Sequence, residues 1–79
     1  MTGSAAEVFR ANVQIIMRTR HLTITKLAED SNTSRPGLSR ILAAKDGVTL
    51  DRADSIAQAL GVPLRELLSE NLENLLTTA

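Results

Sequence analysis

The chain has 79 residues, no cysteine, a single aromatic residue (Phe9) and a formal net charge of zero. A chain of this length makes one small domain, here residues 1–79, whose core must be aliphatic. The lack of cysteine excludes disulfides and thiolate metal sites, and no apolar run approaches the ~20 residues that span a bilayer. We therefore expect a cytoplasmic protein with no secretory signal and no membrane association.

The zero net charge conceals an uneven distribution along the chain. Residues 1–45 contain seven basic and three acidic side chains, whereas residues 46–79 contain two basic and six acidic ones. Attraction to phosphate depends on the local field and not on the average over the chain. The split therefore favours nucleic-acid binding by the first half, although ordinary surface charge would give the same counts.

The first element is an amphipathic helix. No sustained alternation of apolar and polar residues occurs, so strands are not expected and the fold class is all-α. A helix is predicted from about Ser4 to Arg20, because its apolar residues follow the spacing of one helical face. They are Phe9, Val13, Ile16 and Met17.

Two short helices follow, predicted at 24–30 and 35–43 and separated by a polar break at 31–33. Thr23 and Ser34 are hydroxyl residues placed to cap them. In the second helix Leu38 and Ile41 are spaced to be buried, which leaves Arg35 and Arg40 on the opposite face. Two helices joined by a tight turn, with the second presenting basic residues outward, form the layout of a DNA-reading helix-turn-helix.

A fourth helix is predicted over 50–60, with Gly61 ending it and Pro63 opening a fifth. Its inward residues are expected to be Leu50, Ala53, Ile56, Ala57 and Leu60. In the fifth helix a leucine stripe runs from residue 64 to residue 76. Leu64, Leu67 and Leu68 are placed to close the core, which would span about residues 5–70.

The later leucines suggest self-association. A five-helix domain this small has little interior left for Leu72, Leu75 and Leu76, so we expect residues 71–79 to form a dimerisation extension, with help from Leu68. A frayed or core-capping tail is the alternative interpretation.

The segment LTITKLAEDSNTSRPGLSRIL (22–42) resembles the lambda repressor/Cro-like, or xenobiotic-response-element type, helix-turn-helix family. The family pattern is roughly L-T-Q-x-x-L-A-x-x-x-G-x-S-x-x-x-(I/L)-S-x-(I/L). The matching residues are Leu22, Thr23, Leu27, Ala28, Ser34, Leu38, Ser39 and Ile41. The segment IAQALGVPLRELL (56–68) is similar to the family's fourth helix, glycine turn and fifth helix. The resemblance covers roughly residues 8–68 and implies a compact five-helix DNA-binding domain.

This sequence departs from the family at two positions that bear on the turn and on DNA contact. Asn32 stands where the turn glycine is usual, and Asn tolerates a left-handed backbone better than other non-glycine residues. Ile24 replaces a common glutamine, which removes an amide able to bond a phosphate.

The resemblance implies base contacts from the third helix. Arg35 and Arg40 are the candidates to read guanine, since arginine bonds O6 and N7 together; solvated or phosphate-bound arginines are the alternative. Ser39 faces outward and can bond a base or a phosphate. The ring of Pro36 can touch a thymine methyl, since Pro36 and Gly37 together allow close approach to DNA. The alternative is that both residues only set the start of the helix.

Phosphate contacts are expected around these base contacts. Thr23, Thr25 and Lys26 lie near the start of the second helix, and Ser34 at the start of the third. Lys45 and Thr49 flank the following loop. No nucleophile, paired acids, metal-ligand cluster or Gly-rich phosphate loop points to catalysis, a metal or a cofactor.

The leading hypothesis is a sequence-specific transcriptional regulator of the phage-repressor or Cro type, encoded by a bacterium or phage and not an enzyme. It would bind a palindromic operator in double-stranded DNA as a homodimer. A restriction–modification controller and an antitoxin are variants of this class, and an antitoxin would add a protein partner. The alternative from another class is a protein-interaction module that kept the fold but reads no DNA.

Overall fold

A computed structural model describes residues 3–69 of the chain, and in that range the protein consists of five α-helices. They are α1 (Gly3–Arg20), α2 (Ile24–Asp30), α3 (Arg35–Leu42), α4 (Leu50–Leu60) and α5 (Leu64–Leu67). No strand occurs between residues 3 and 69. The predicted all-α, five-helix fold is confirmed. None of these helices has the length and apolar character that a bilayer span needs.

The core is an aliphatic cluster around Phe9, which is fully buried. α1 packs against α3 and α5, while α2 packs against α3 and α4. Eight of the apolar residues that helical spacing places inward are buried in this cluster. They are Val13, Ile16, Leu27, Leu38, Ile41, Ile56, Leu60 and Leu67.

Three helices begin at hydroxyl N-caps. The side-chain oxygens of Thr23, Ser34 and Thr49 accept hydrogen bonds from the backbone N–H three residues onward, at 3.0–3.1 Å. Each bond satisfies one of the amide groups that a helix start leaves without an intrahelical partner. The predicted starts of α2 and α3 are therefore confirmed.

The chain leaves the first four helices in the same way. In each case one residue with positive φ reverses the backbone, and the next N–H bonds the carbonyl five residues earlier. The reversing residues are His21, Asn32, Ala44 and Gly61. Asn32 and Gly61 were predicted in this role. His21 and Ala44 carry no sequence signal for it, since left-handed backbone is strained for both.

Three expectations for α4 and α5 are wrong. Leu50 was expected to face inward but is 62% exposed, because α4 contributes buried residues only from Ala53 onward. Leu68 was expected to help close the core but is 36% exposed, because it lies at the C-cap of α5. α5 ends at Leu67, so an uninterrupted helix from 64 to 76 is wrong. Leu72, Leu75 and Leu76 lie outside the described residues.

Two arginines of α1 attach it to the C-terminal ends of α3 and α4. Arg10 Nε donates to the carbonyl of Ile41 at 2.7 Å, and Arg20 Nη1 donates to that of Leu60 at 2.5 Å. Both acceptors lie in the last turn of a helix, where carbonyls lack partners and the helix dipole favours a cation. These bonds hold the ends of α3 and α4 against α1.

Candidate nucleic-acid interface

The outward face of α3 carries the residues that were predicted to read bases. Arg35, Pro36, Ser39 and Arg40 are all exposed. Leu38 and Ile41, on the opposite face of the helix, are buried in the core. The helix therefore has one face that holds it on the domain and one that is available to a partner.

The start of α3 shows why a glycine occurs inside it. The backbone N–H of Gly37 donates to Ser34 Oγ at 3.0 Å. A Cβ built on Gly37 would lie 2.8 Å from that same oxygen, which is closer than real Cβ contacts. Gly37 thus leaves room for the cap. Pro36 lies in the first turn, where a missing N–H leaves no helical bond unmade.

Arg40 makes a two-point ion pair with Asp46 that the sequence did not predict. Its Nε lies 2.9 Å from one carboxylate oxygen and its Nη2 lies 3.1 Å from the other. The two side chains are 57% and 46% exposed, so water reaches the pair. The hydrogen bonds from Arg40 hold the pKa of the Asp46 carboxyl below its usual range.

The loop after α3 is folded back on the helix that precedes it. Ala44 has a left-handed backbone, with φ of 61°. The N–H groups of Lys45 and Asp46 both donate to the carbonyl of Arg40, at 2.9 and 3.3 Å. From α1, Arg10 Nη2 donates to the carbonyl of Asp46 at 3.1 Å. The backbone of Asp46 is therefore held from both sides.

The predicted phosphate contacts fall into two groups. Ser34 and Thr49 line one polar cleft, together with Asp46 and Arg52. Thr23, Thr25 and Lys26 do not line this cleft. Thr23 caps α2, Thr25 is exposed, and Lys26 pairs with Asp30 at 3.3 Å. Lys45 is exposed, and its ammonium bonds no residue in the range 3–69.

The family model of the Cro/C1-type HTH DNA-binding domain matches residues 12–72, which is more than half of the chain. The chain belongs to the Cro/C1-type HTH DNA-binding domain family. The resemblance inferred from residues 22–42 and 56–68 is therefore confirmed. No curated protein and no solved structure matches the chain significantly.

Within this Cro/C1-type domain two residues near α3 were missed by sequence reasoning. Asp46 had no assigned role, yet it pairs with Arg40. Arg52 also had no assigned role, yet its Nη1 donates to Thr33 Oγ1 at 2.9 Å. No short motif signals either contact, because the first depends on the fold of the loop after α3 and the second on the packing of α4 against α2.

The outward face of α3 and the loop after it carry hydrogen-bond donors that are exposed. They present guanidinium, ammonium and hydroxyl donors, which suit the acceptors of DNA bases and phosphates. No group of three potential metal-ligating side chains lies within the part of the chain that the structure describes.

Proposed function

We propose that the chain is a sequence-specific transcriptional regulator of a bacterium or phage, which occupies a palindromic operator as a homodimer and blocks polymerase. The observation that carries the proposal is the exposed face of α3, where Arg35, Ser39 and Arg40 stand opposite a buried apolar pair. Membership of a DNA-binding domain family supports the same conclusion.

In this mechanism α3 lies in the major groove of the duplex. Arg35 and Arg40 donate to O6 and N7 of guanines, Ser39 bonds a base edge, and the ring of Pro36 packs on a thymine methyl. Phosphate contacts from Thr23, Thr25, Lys26, Ser34, Lys45 and Thr49 set the orientation of the domain. Such contacts carry no sequence information.

One domain offers one recognition helix, which covers only a few base pairs. A two-fold dimer can place two such helices about 34 Å apart in successive major grooves. We assign the interface to Leu68, Leu72, Leu75 and Leu76 because Leu68 is exposed and the segment belongs to the acidic half of the chain, whose charge disfavours contact with phosphate. Each of these residues would act twice in an isologous contact.

Sedimentation of the full chain and of the Leu72→Ser/Leu75→Ser/Leu76→Ser variant tests the interface. The full chain should dimerise at tens of micromolar and the variant should not, while both keep the same helical circular dichroism. Equal association of the two chains would show that these leucines are not the interface.

Selection of bound sites from a random DNA library tests the function itself. The full chain should enrich a site with two-fold symmetry. Arg35→Ala should weaken binding to that site by roughly 5- to 150-fold and relax preference at one position per half-site. Lys45→Ala should weaken the selected site and random DNA alike.

Arg65→Ala is the matched control, because Arg65 is an exposed arginine on α5, away from α3. It should leave the selected site and the affinity unchanged. Failure to enrich any site, with no salt-dependent shift of random duplex, would refute DNA binding.

A further inference from the structure

The ion pair between Arg40 and Asp46 uses a particular edge of the guanidinium group. Asp46 accepts from Nε and from Nη2, which is the side edge of the planar fork. Nη1 bonds no residue between 3 and 69, and the second hydrogen of Nη2 is also free of this pair. The free end of the fork, Nη1 with Nη2, therefore still offers two parallel N–H groups.

Two parallel donors are what the O6 and N7 acceptors of guanine require. A free arginine side chain must give up several rotamers to present them, and that loss of entropy opposes binding. A carboxylate bound to the side edge restricts the rotamers of the arginine before DNA binds. It also leaves the end edge unobstructed.

Asp46 is itself well held, so it is able to orient another group. Its N–H donates to the Arg40 carbonyl, and its own carbonyl accepts from Arg10. Arg10 in turn bonds the carbonyl of Ile41 in α3. The carboxylate is therefore attached to the same helix whose arginine it contacts.

Folding stability does not account for the pair. Both side chains are largely in water, where ion pairs contribute little because screening and lost side-chain entropy offset their attraction. An acidic group beside a DNA-reading helix would also repel phosphate. Its presence therefore needs another reason.

We propose that Asp46 is a positioning residue for base readout, which holds Arg40 so that Nη1 and Nη2 meet a guanine end-on. This inference rests on the proposed DNA-binding function. The carboxylate also offsets the charge of Arg40, so Arg40 contributes little to attraction for DNA of arbitrary sequence. Asp46 thereby raises specificity in two ways: it increases affinity for the selected site and it decreases affinity for DNA of other sequences.

Asp46→Ala and Asp46→Asn test the proposal through two affinities measured on each protein. Affinity for the selected site should fall by about tenfold in Asp46→Ala, since a precise guanine contact is commonly worth that much. Affinity for random duplex should rise, and its salt dependence should steepen by about one unit because a cation is released. Asp46→Asn should show the same directions.

A merely structural role would lower both affinities together, so that result would overturn the proposal. Asp51→Asn is the charge control, because Asp51 is exposed in the first turn of α4 and the carboxylate that pairs with Arg40 is that of Asp46. It removes the same charge without touching Arg40. An equal loss of specificity in Asp51→Asn would also overturn the proposal.

A base analogue supplies a readout at the atomic level. Selection with Arg40→Ala should relax one guanine position, and replacing that base by 7-deazaguanine removes the N7 acceptor. The unmodified protein should lose about tenfold in affinity for the altered site, whereas Asp46→Ala should lose much less. In the Arg40→Ala background, Asp46→Ala should not reduce specificity further.

Equal sensitivity of the unmodified protein and Asp46→Ala to the analogue would overturn the positioning role. So would an Arg40→Ala variant that keeps every base preference. Both results leave DNA binding by the full chain intact. Loss of the proposed function is seen separately, as failure of the full chain to enrich any site.

Discussion

The side-chain amide of Asn12 donates hydrogen bonds to the carbonyls of Leu67, at 2.7 Å, and Ser69, at 2.8 Å. Asn12 is buried within α1, and both of its N–H groups are used. The two acceptors lie where α5 ends, so their carbonyls lack helical partners. One side chain of α1 therefore holds the C-terminal end of α5 against α1.

Asn12→Ala should destabilise the domain by about 1–3 kcal/mol, because two carbonyls lose their donor in a place that water does not readily reach. Asn12→Asp should cost more at neutral pH, since a carboxylate would face two carbonyl oxygens. Its penalty should shrink as the pH falls, because the protonated acid donates one bond. Urea unfolding followed by circular dichroism measures both.

Gln14→Ala is the matched control on the same helix. Gln14 Nε2 also donates to a carbonyl, that of Leu42 at 3.2 Å, but the bond is exposed. Water replaces it, so the cost should stay below about 0.5 kcal/mol. Similar costs for the two truncations would show that burial of the Asn12 bonds contributes nothing.

Ala44→Gly should stabilise the protein. Ala44 has φ of 61°, and a left-handed backbone costs a non-glycine residue roughly 1–2 kcal/mol. Part of the gain is lost because glycine is more flexible in the unfolded chain, which leaves about 0.5–1 kcal/mol. Ala43→Gly provides the contrast, since Ala43 has φ of −85° and no such strain to relieve. An unfolding midpoint that rises for Ala43→Gly and not for Ala44→Gly would contradict the assignment.

Ser34 and Gly37 should behave as a coupled pair. Ser34→Ala alone should cost about 1 kcal/mol through loss of the N-cap. Gly37→Ala alone should change stability little, because the gain in helix propensity of about 1 kcal/mol is offset by displacement of the cap. In the Ser34→Ala background the cap is already absent, so Gly37→Ala should then stabilise by the full propensity difference. Additive effects across the four proteins would refute the coupling.

The ion pair of Arg40 and Asp46 makes a prediction about pH. The hydrogen bonds from Arg40 lower the pKa of Asp46 in the folded protein. The stabilisation from the pair is therefore present at pH values above the ordinary carboxyl pKa, and it is lost as the pH falls through the lowered pKa of Asp46. Arg40→Ala should raise the pKa of Asp46. Arg35→Ala should leave it unchanged. Carboxyl carbon chemical shifts followed by NMR titration measure this directly, and a pKa unaffected by Arg40→Ala would show that the pair does not form in solution.

Much of the fold could be predicted because its signals are local. The caps at Thr23 and Ser34 and the spacing of Leu38 and Ile41 place α2 and α3 within one residue of their observed ends. Gly61 predicted the end of α4 because only glycine adopts that backbone without strain. The exposure of Arg35 and Arg40 followed from the same periodicity.

The features that the local pattern missed depend on how the ends of helices pack against neighbouring helices. Leu50 fits the apolar period of α4, but its turn has no neighbour to cover it. The left-handed backbone of Ala44 is imposed by the surrounding packing, since nothing in alanine itself favours it.

The amino-acid sequence by itself determined the family, the positions of the first four helices and most of the core, because periodicity and capping act within a few residues. Tertiary structure alone decided which side chains meet across the chain. Asn12 reaches a carbonyl 55 residues away, and Arg10 reaches the carbonyl of Asp46 across 36 residues. Such contacts depend on the relative positions of packed helices, which no short stretch of sequence encodes. The partner of Arg40 is only six residues away, but it depends on the fold of the loop after α3, which periodicity and capping do not describe.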